Sequence, residues 1–531
     1  MGGVWAEICS RAVDLRHHPW QRRELTMRRH RFDSPGIGSL VTFGCFILSG
    51  CGSNPAPVAV DSSESVASDS GAATPSNATT TTSETQLAVP NTDSATVPVY
   101  TPTGALTSWH RWRGPTASGV APQGNPPLNW DESTNIQWKV KLPGYGSGTP
   151  IVWRDHIYLL TAVDTGKMPE GSPPAADEKS ASGGGRGRRG FRMSTPTPKT
   201  EFEFRLLCLD RQTGETVWSQ VARKQVPFSG HHPSHGFASS SAVTDGKLLY
   251  ASFGSYGIYC YNLAGELQWE LDLGDMQTRA GFGEGASPAL HEESLVVTWD
   301  HEGESFIVCL NALSGEEIWR QPRDERTTWA TPLIVEHEGT AQVITNAQNR
   351  TRSYNLADGA LLWECGGQAG NPIATPVVKD GTVYCMTGFR GYAVYALPLS
   401  ARGDISDTDK IVWKYTDNGP YVASPVLYDD LLYFTKERRG VLSCVRADTG
   451  EFQFENQRLP GFEGLYASLS AAAGKIYIVS RNGTTVVLKH GSEFEVLATN
   501  QLAEGIDASP VIVGNQLLLR GAEHLYAISE Q

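Results

Sequence analysis

The chain alternates short apolar runs with turns, and this alternation repeats eight times between residues 149 and 509. Each repeat opens on a pair of residues, mostly Ser or Thr followed by Pro, directly before an apolar run. Successive pairs lie about 41 to 49 residues apart, except across one early insertion. Repeats of this length are typical of solenoids, propellers and arrays. The eight anchor pairs are Thr149-Pro150, Ser240-Ser241, Ser287-Pro288, Thr331-Pro332, Thr375-Pro376, Ser424-Pro425, Ser468-Leu469 and Ser509-Pro510.

The apolar runs between the anchors predict β-strands. Residues 247–250, 383–385 and 475–478 are rich in β-branched, aromatic or leucine side chains, and each follows a turn that contains glycine. A second motif, with a Gly-containing turn and a closing aromatic residue, occurs at residues 208–218, 309–319, 354–363 and 444–454. No stretch shows a helical period. Four strands in a repeat of this length predict an all-β fold, an eight-bladed β-propeller of four-stranded blades.

The two ends of the repeat region predict how the ring closes. The last repeat, residues 509–528, stops after its third strand, whereas residues 135–140 form a strand that belongs to no blade. Pairing this N-terminal strand with the C-terminal repeat completes the eighth blade and removes two exposed sheet edges. The repeated tryptophans are then predicted to pack between neighbouring blades. They are Trp138, Trp218, Trp269, Trp319, Trp363 and Trp413.

The turn motif of the type A-x-D-x-x-T-G-E-x-x-W and the opening sequence Trp-His-Arg-Trp-Arg-Gly-Pro at residues 109–115 resemble the PQQ-like, or quinoprotein dehydrogenase-like, repeat family. The resemblance covers residues 109–529. It implies either a quinone-dependent dehydrogenase or a non-catalytic lipoprotein similar to the BamB component of outer-membrane barrel assembly. The dehydrogenases hold PQQ with Ca²⁺ and usually have a disulfide between adjacent cysteines, and this chain has no adjacent cysteines. Fold alone does not choose between the two branches.

The N-terminal region favours the lipoprotein branch. Basic residues precede an apolar stretch at residues 37–48, which is too short to span a bilayer and ends in Leu48-Ser49-Gly50-Cys51. This sequence resembles a bacterial lipobox with Cys51 as the acylated residue, and an ordinary cleaved signal peptide is the alternative. We therefore predict a signal region at 1–51 with Met27 as the true start, a disordered Ser/Thr/Pro-rich tether at 52–108, and the propeller at 109–531. The predicted location is the exported cell envelope, periplasmic or associated with the outer membrane.

The net charge limits the classes of partner that are expected, and the cysteine positions indicate packing residues. A formal net charge of −13 predicts no broad attraction to nucleic acid. Cysteines at equivalent third-strand positions are predicted to be small packing residues rather than disulfide partners. They are Cys208, Cys260, Cys309 and Cys444.

One face of the propeller collects the sequence that departs from the repeat, because blade connections and second-to-third-strand hairpins share a face. The candidate ligand residues there are His231, His232, His235, Arg279, Trp329, Arg350, Arg390, Arg438, Arg439 and Arg481. An insertion at about residues 164–199, with a Gly/Arg-rich centre, is predicted to be a disordered surface loop, and a partner-binding arm is the alternative. Arginine binds carboxylate and phosphate well, so this face is a hypothetical funnel for an anionic ligand. Simple solvation of the arginines, and metal binding by the histidines, remain open alternatives.

These observations predict a monomeric, lipid-anchored and non-catalytic scaffold, or a module that binds a ligand or protein. Its expected partners are envelope proteins, an anionic small molecule or a glycan, and no cofactor or metal is expected. The first alternative is an oxidoreductase that uses PQQ with Ca²⁺ or another metal, although no catalytic residue is assigned. The second is a polysaccharide-binding protein in which Trp329, Phe389 and Tyr421 stack against sugars.

Overall fold

The computed structural model describes residues 99–169 and 193–530. The predicted signal region with Cys51, the tether as far as residue 98 and the centre of the insertion lie outside the described residues. Within the described ranges, the strands form eight sheets that are arranged as blades in a ring. The predicted eight-bladed β-propeller of four-stranded blades is confirmed. No helix in these ranges has the length and hydropathy needed to cross a bilayer.

The blades follow one another along the chain. Three short 3-10 turns lie in the described part of the chain, at Ala105–Thr107, Gly254–Tyr256 and Arg279–Gly281. Blade one consists of β2 (Ile151–Trp153), β3 (His156–Asp164), β4 (Phe202–Asp210) and β5 (Thr216–Gln225). Blade two consists of β6 (Val243–Thr244), β7 (Leu248–Ser252), β8 (Ile258–Asn262) and β9 (Leu267–Leu271). Blade three consists of β10 (Ala289–His291), β11 (Ser294–Trp299), β12 (Ser305–Asn311) and β13 (Glu317–Arg323). Blade four consists of β14 (Leu333–His337), β15 (Thr340–Asn346), β16 (Arg350–Asn355), β17 (Leu361–Gly366) and the added β21 (Gly403–Asp404).

The other four blades complete the ring. Blade five consists of β18 (Val377–Lys379), β19 (Thr382–Thr387), β20 (Ala393–Pro398) and β22 (Trp413–Tyr415). Blade six consists of β23 (Val426–Tyr428), β24 (Leu431–Thr435), β25 (Val441–Arg446) and β26 (Phe452–Arg458). Blade seven consists of β27 (Ser470–Ala472), β28 (Lys475–Val479), β29 (Thr484–Lys489) and β30 (Val496–Gln501). Blade eight consists of β31 (Val511–Val513), β32 (Gln516–Arg520), β33 (His524–Ile528) and β1 (Ile136–Lys141).

Both ends of the propeller sequence build blade eight. Strand β1 pairs antiparallel with β33, with Trp138 opposite Ala527 and Lys141 opposite His524. The closing strand therefore lies where the sequence predicted it, and its pairing covers the edge that β33 would otherwise expose.

Apolar cores fill the spaces between blades. Tyr158 and Leu206 of blade one, for example, share a buried cluster with Leu249 and Tyr259 of blade two. Inner strands are buried on both faces, which explains why they read as continuous apolar runs rather than alternating ones. The six cysteines among the described residues are buried and form no disulfide.

Five of the six repeat tryptophans dock onto the turn of the next blade. Each donates its indole N–H to a backbone carbonyl of that turn. The bonds are Trp138 to Arg211 (3.0 Å), Trp218 to Leu263 (3.2 Å), Trp269 to Ala312 (2.9 Å), Trp319 to Leu356 (2.6 Å) and Trp413 to Ala447 (2.8 Å). The turn glycine lies under the ring, since a Cβ on Gly214, Gly315 or Gly450 would come within 2.8 Å of it.

Trp363 departs from this arrangement. Its indole N–H points to Gln342 Oε1 of its own blade at 3.4 Å. Strand β21 pairs parallel with β17, with Gly403 opposite Trp363. The longer β20–β22 connection thus covers this ring, because blade five has no short turn of the usual kind.

A segment at residues 109–121 ties distant blades together. Trp109 exchanges backbone hydrogen bonds with Val152 of blade one, and Ala121 donates to Ala471 of blade seven at 2.8 Å. Between them, the buried Arg113 donates to the carbonyls of Leu469 (2.6 Å), Pro425 (2.6 Å) and Ser118 (3.1 Å). Burial lowers the pKa of this guanidinium to about 9. We call residues 109–121 the clasp.

Two predicted boundaries need correction. The tether does not extend to residue 108, because Val99 and Ala105 are buried in the cores of the propeller. The insertion is ordered at its C-terminal end, where Thr195 donates its N–H to the carbonyl of His231 at 2.7 Å. In both places a few apolar or hydrogen-bonding residues within a polar stretch attach the chain to the propeller.

The docking of Trp413 on Gly450 predicts a selective cost for a methyl group. Gly450 and Gly339 both have φ +74°, but a Cβ would contact Trp413 only at Gly450. Gly339→Ala should therefore cost only the backbone strain, about 1 kcal/mol. Gly450→Ala should lose about 1–3 kcal/mol more, because the added methyl displaces a packed ring. Urea denaturation measures both, and equal losses would show that the ring does not need this glycine.

Candidate functional site

The innermost structure of the propeller is a ring of hydroxyl groups. The backbone N–H of one anchor residue donates to the hydroxyl oxygen of the anchor in the next blade. The bonds run from Ser241 to Ser287 (2.9 Å), Ser287 to Thr331 (3.0 Å), Thr375 to Ser424 (2.9 Å), Ser424 to Ser468 (2.9 Å), Ser468 to Ser509 (2.9 Å) and Ser509 to Thr149 (3.1 Å). Small hydroxyl residues recur at the anchors, and six of the eight hydroxyls accept this bond close to the axis. We call these residues the hydroxyl ring.

A cavity of about 330 Å³ lies on the axis, against the hydroxyl ring. Trp112 of the clasp lines it and donates its indole N–H to Thr375 Oγ1 at 2.9 Å. The clasp contacts Val152, Leu469 and Ala471, which all follow the ring hydroxyl residue of their blade along the chain. Trp112 therefore reaches the cavity from the side opposite to the blade connections. The cavity is blind at this end and is lined by the blade connections at the other.

One repeat position supplies a wall residue from every blade. The residue two places before each ring hydroxyl lines the cavity. In order around the axis these residues are Ser147, Ser239, Gly285, Trp329, Ile373, Val422, Tyr466 and Asp507. The anchor is thus nearly constant, whereas the position two residues earlier varies from glycine to tryptophan.

Aromatic side chains make flat surfaces around the mouth. Phe389 and Tyr421 stack with ring centroids 5.0 Å apart, and Phe282 lies 6.5 Å from Trp329. The Trp329 indole donates to the carbonyl of Gly283 at 2.8 Å, which fixes its orientation. These rings give the cavity walls a substantial apolar area.

Hydrogen bonds join the aromatic groups across the mouth. Arg279 donates to Asn371 Oδ1 at 3.0 Å, and Asn371 Nδ2 donates to the Tyr421 hydroxyl at 3.2 Å. On the other side, Arg438 donates to the Tyr466 hydroxyl at 3.2 Å, and the hydroxyls of Tyr466 and Ser234 are hydrogen-bonded at 3.2 Å. The Arg438 guanidinium also lies 5.5 Å from the Tyr421 ring centroid. The loops of five blade connections are therefore linked into one rim.

Two histidines of the predicted cluster line the cavity as neutral groups. His235 Nδ1 accepts the N–H of Gly236 at 2.8 Å, so the proton of the neutral ring is assigned to Nε2. Burial lowers the pKa of His235 to about 4. His232 Nδ1 accepts the N–H of Ser234, and burial, with Arg438 nearby, lowers its pKa as well. Each ring offers an Nε2–H donor at neutral pH.

The structure separates the other predicted site residues into different settings. Among the candidates, His232, His235, Trp329 and Arg438 line the cavity. Arg481 holds Asp507 through bonds of 2.6 and 3.0 Å, and Arg279 reaches the rim through Asn371. The remaining four point elsewhere: His231 bonds to the carbonyl of His232, Arg350 pairs with Asp404, Arg390 lies over Phe389, and Arg439 pairs with Glu437. The arginines are thus not one continuous positive surface.

Several cavity residues were not predicted as site residues from the sequence. Trp112 stood in the opening motif, but nothing in its sequence context showed that it reaches the axis. Ile373, Val422, Tyr466 and Asp507 carry a signal that was available, namely their fixed spacing before the anchors. Within the described ranges, no three or more His, Cys, Asp or Glu side chains are grouped so that they could hold a metal ion.

Glu284 lies buried behind the cavity wall, between the wall residues Phe282 and Gly285. Its carboxylate accepts the N–H of Ser255 at 2.7 Å and the Ser255 hydroxyl at 2.5 Å. Burial raises its pKa to about 7. Gly254 leaves the space that the carboxylate occupies, since a Cβ there would overlap it.

This environment predicts how stability depends on pH. The pKa of Glu284 in the folded protein lies above its ordinary value. The contribution of Glu284 to the free energy of unfolding is therefore fully present below about pH 4.5 and is lost as pH rises through 7. Glu284→Gln keeps the shape of the side chain, which is then neutral at every pH. The variant should therefore gain stability relative to the native protein between pH 5 and pH 8, by about 2–3 kcal/mol. Urea titrations across this range measure the difference, and a constant offset would contradict the buried carboxylate.

Comparison with known proteins gives the following results. Residues 203–456 match the family model described as outer membrane protein assembly factor BamB. No curated protein sequence matches the chain. The BamB structure from Moraxella catarrhalis is similar at 13% identity with a TM-score of 0.46, and the alignment covers 63% of this chain and 93% of that one.

Two solved dehydrogenases share the fold. Quinohemoprotein alcohol dehydrogenase from Comamonas testosteroni aligns at 10% identity with a TM-score of 0.52, over 80% of each chain. A europium-containing methanol dehydrogenase aligns at 8% identity with a TM-score of 0.53, over 80% of this chain and 98% of that one. At these identities the likeness concerns the fold and not the chemistry. With its eight four-stranded blades the chain is an eight-bladed β-propeller, and the matched repeat region makes it similar to the PQQ-like repeat family.

Proposed function

We propose that this protein is an exported, lipid-anchored β-propeller that binds a small ligand in its axial cavity and does not catalyse a reaction. The observation that carries the proposal is the blind cavity, to which every blade contributes a wall residue at the same repeat position. Concave sites with aromatic walls and a few convergent polar groups are typical of small-molecule sites.

The polar groups favour binding over chemistry. Among the described residues that line the cavity, Asp507 is the one carboxylate, and Arg481 occupies both of its oxygens. Glycoside hydrolysis normally uses two carboxylates on opposite sides of the scissile bond. His235, with its pKa lowered to about 4, is a weak base. These features support a binding module.

The alternative with PQQ and Ca²⁺ fits this donor set poorly. Ca²⁺ takes six to eight oxygen ligands, usually with several carboxylates. Asp507 is a poor Ca²⁺ ligand, because Arg481 already neutralises its charge. The fold shared with two dehydrogenases does not supply the missing ligands, so we derive no redox step.

The proposed location rests on the N-terminal sequence and on the matched family. Residues 48–51 read Leu-Ser-Gly-Cys after an apolar stretch, and the family model is described as an outer membrane protein assembly factor. A propeller on a lipid anchor would present its ligand to envelope proteins, which we propose as its partners. Barrel assembly itself is only one of the roles that such a module could serve.

Filling the cavity should abolish ligand binding without unfolding the protein. Ile373 lines the cavity and is only partly buried, so Ile373→Trp should occupy the space of a ligand. Saturation-transfer NMR with a library of small acids and sugars should show signals for the native protein that this variant loses. Val412→Trp is the control, because Val412 is 50% exposed on the outer side of blade five. Signals unaffected by Ile373→Trp would place the binding site outside the cavity.

Lipid anchoring makes a separate prediction. In a Gram-negative bacterial host, the native chain should incorporate tritiated palmitate and sediment with membranes. Cys51→Ser should lose both properties, because the acylated thiol is gone. Cys45→Ser changes a cysteine in the same region outside the lipobox and should retain both. Labelling of the Cys51→Ser protein would contradict the anchor.

A further inference from the structure

The hydrogen-bonding capacity of the cavity identifies a class of ligand, on the basis of the function proposed above. Each hydroxyl of the ring has one hydrogen and two lone pairs. Six of these oxygens accept a backbone N–H, and no described residue accepts their hydrogens. These six residues are Thr149, Ser287, Thr331, Ser424, Ser468 and Ser509, and all of them line the cavity. The blind end therefore presents several O–H donors together.

The rim adds donors with positive charge. Arg438 lines the cavity, and Arg279 lies behind Asn371. Neither guanidinium has a carboxylate partner among the described residues, in contrast to Arg439 and Arg481. The Nε2–H groups of His232 and His235 are further donors. A complementary ligand needs several acceptor oxygens and one negative charge.

Flat apolar surfaces are the third feature of the cavity that a ligand must match. The stacked rings of Phe389 and Tyr421 lie on one side of the cavity, and Trp329 with Phe282 forms another surface. Such rings suit the C–H face of a pyranose as well as an aromatic ligand. The hydroxyl ring distinguishes the two, because a flat aromatic acid would leave most of the buried O–H donors without acceptors, at a cost of about 1–3 kcal/mol each.

We propose that the axial cavity binds one uronic acid residue, as the end group of an acidic glycan. The sugar hydroxyls lie against the hydroxyl ring, the pyranose ring stacks on Phe389 and Tyr421, and the carboxylate pairs with Arg438 at the rim. A cavity of about 330 Å³ suits a ligand of this small size. The rest of the glycan leaves through the open end.

The test uses purified full-length protein and three probes of matched size. Methyl β-D-glucuronide carries the sugar and the charge, methyl β-D-glucoside lacks the charge, and 2-naphthoate has the charge on a flat aromatic body. Calorimetry should show that the glucuronide binds at least tenfold more tightly than either of the others. Arg438→Gln should weaken glucuronide binding at least tenfold and glucoside binding by a much smaller factor. Arg439→Gln, at the neighbouring exposed arginine paired with Glu437, is the control and should bind like the native protein.

The outcomes separate this inference from the proposed function. Preference for naphthoate, or for the neutral glucoside, would overturn the uronic acid while leaving a ligand-binding cavity. Equal losses in Arg438→Gln and Arg439→Gln would remove the role of Arg438. If no probe and no library compound binds in a manner that Ile373→Trp abolishes, the binding module itself is wrong.

Discussion

The hydrogen bond from an anchor N–H to the hydroxyl of the next blade, which six of the eight anchors make, is the contact on which the rest of the structure depends. At the axis the blades are too close for large side chains, and the buried N–H that begins each inner strand needs an acceptor. A serine or threonine hydroxyl supplies that acceptor with the smallest side chain available. Each blade is thereby positioned by its neighbour, so the ring is cooperative. The pairing of β1 with β33 closes the outer edge, and the tryptophans fix the spacing between the outer strands.

The same contact creates the cavity. Once the anchors are held around the axis, the residue two positions earlier must point into the space above them. The anchor cannot vary much, because its hydroxyl is a structural acceptor. The side chain two positions earlier does not accept this hydrogen bond and is free to vary. It therefore holds Gly285, Trp329, Ile373, Tyr466 and Asp507 without any change in the ring. A constant scaffold with a variable wall explains in physical terms how one fold can carry different functional sites.

Sequence predicted the fold well because the repeat is local, and each blade carries its own strands, turn and tryptophan. The cavity was harder to predict, since its contacts join residues far apart in the chain. Ser234 and Tyr466 share a hydrogen bond across 232 positions. The sequence also showed where arginines occur, but not that Arg350 and Arg481 pair with carboxylates of other loops or that Arg439 pairs within its own hairpin. Spacing before the anchors was the missed signal, because it needs only the repeat and the direction of the first strand.

The clasp links the stability of the propeller to the shape of its cavity. Arg113 is buried without a carboxylate partner among the described residues, and three backbone carbonyls from separate parts of the chain surround its guanidinium. A planar group with five donors can satisfy such an irregular set of acceptors, whereas lysine, with a single nitrogen, could not reach all three. The neighbouring Trp112 uses this anchoring to cover the blind end through Thr375. Removing Arg113 would therefore release blades six and seven and the floor of the cavity together, so a closed cavity and a closed ring have the same structural cause.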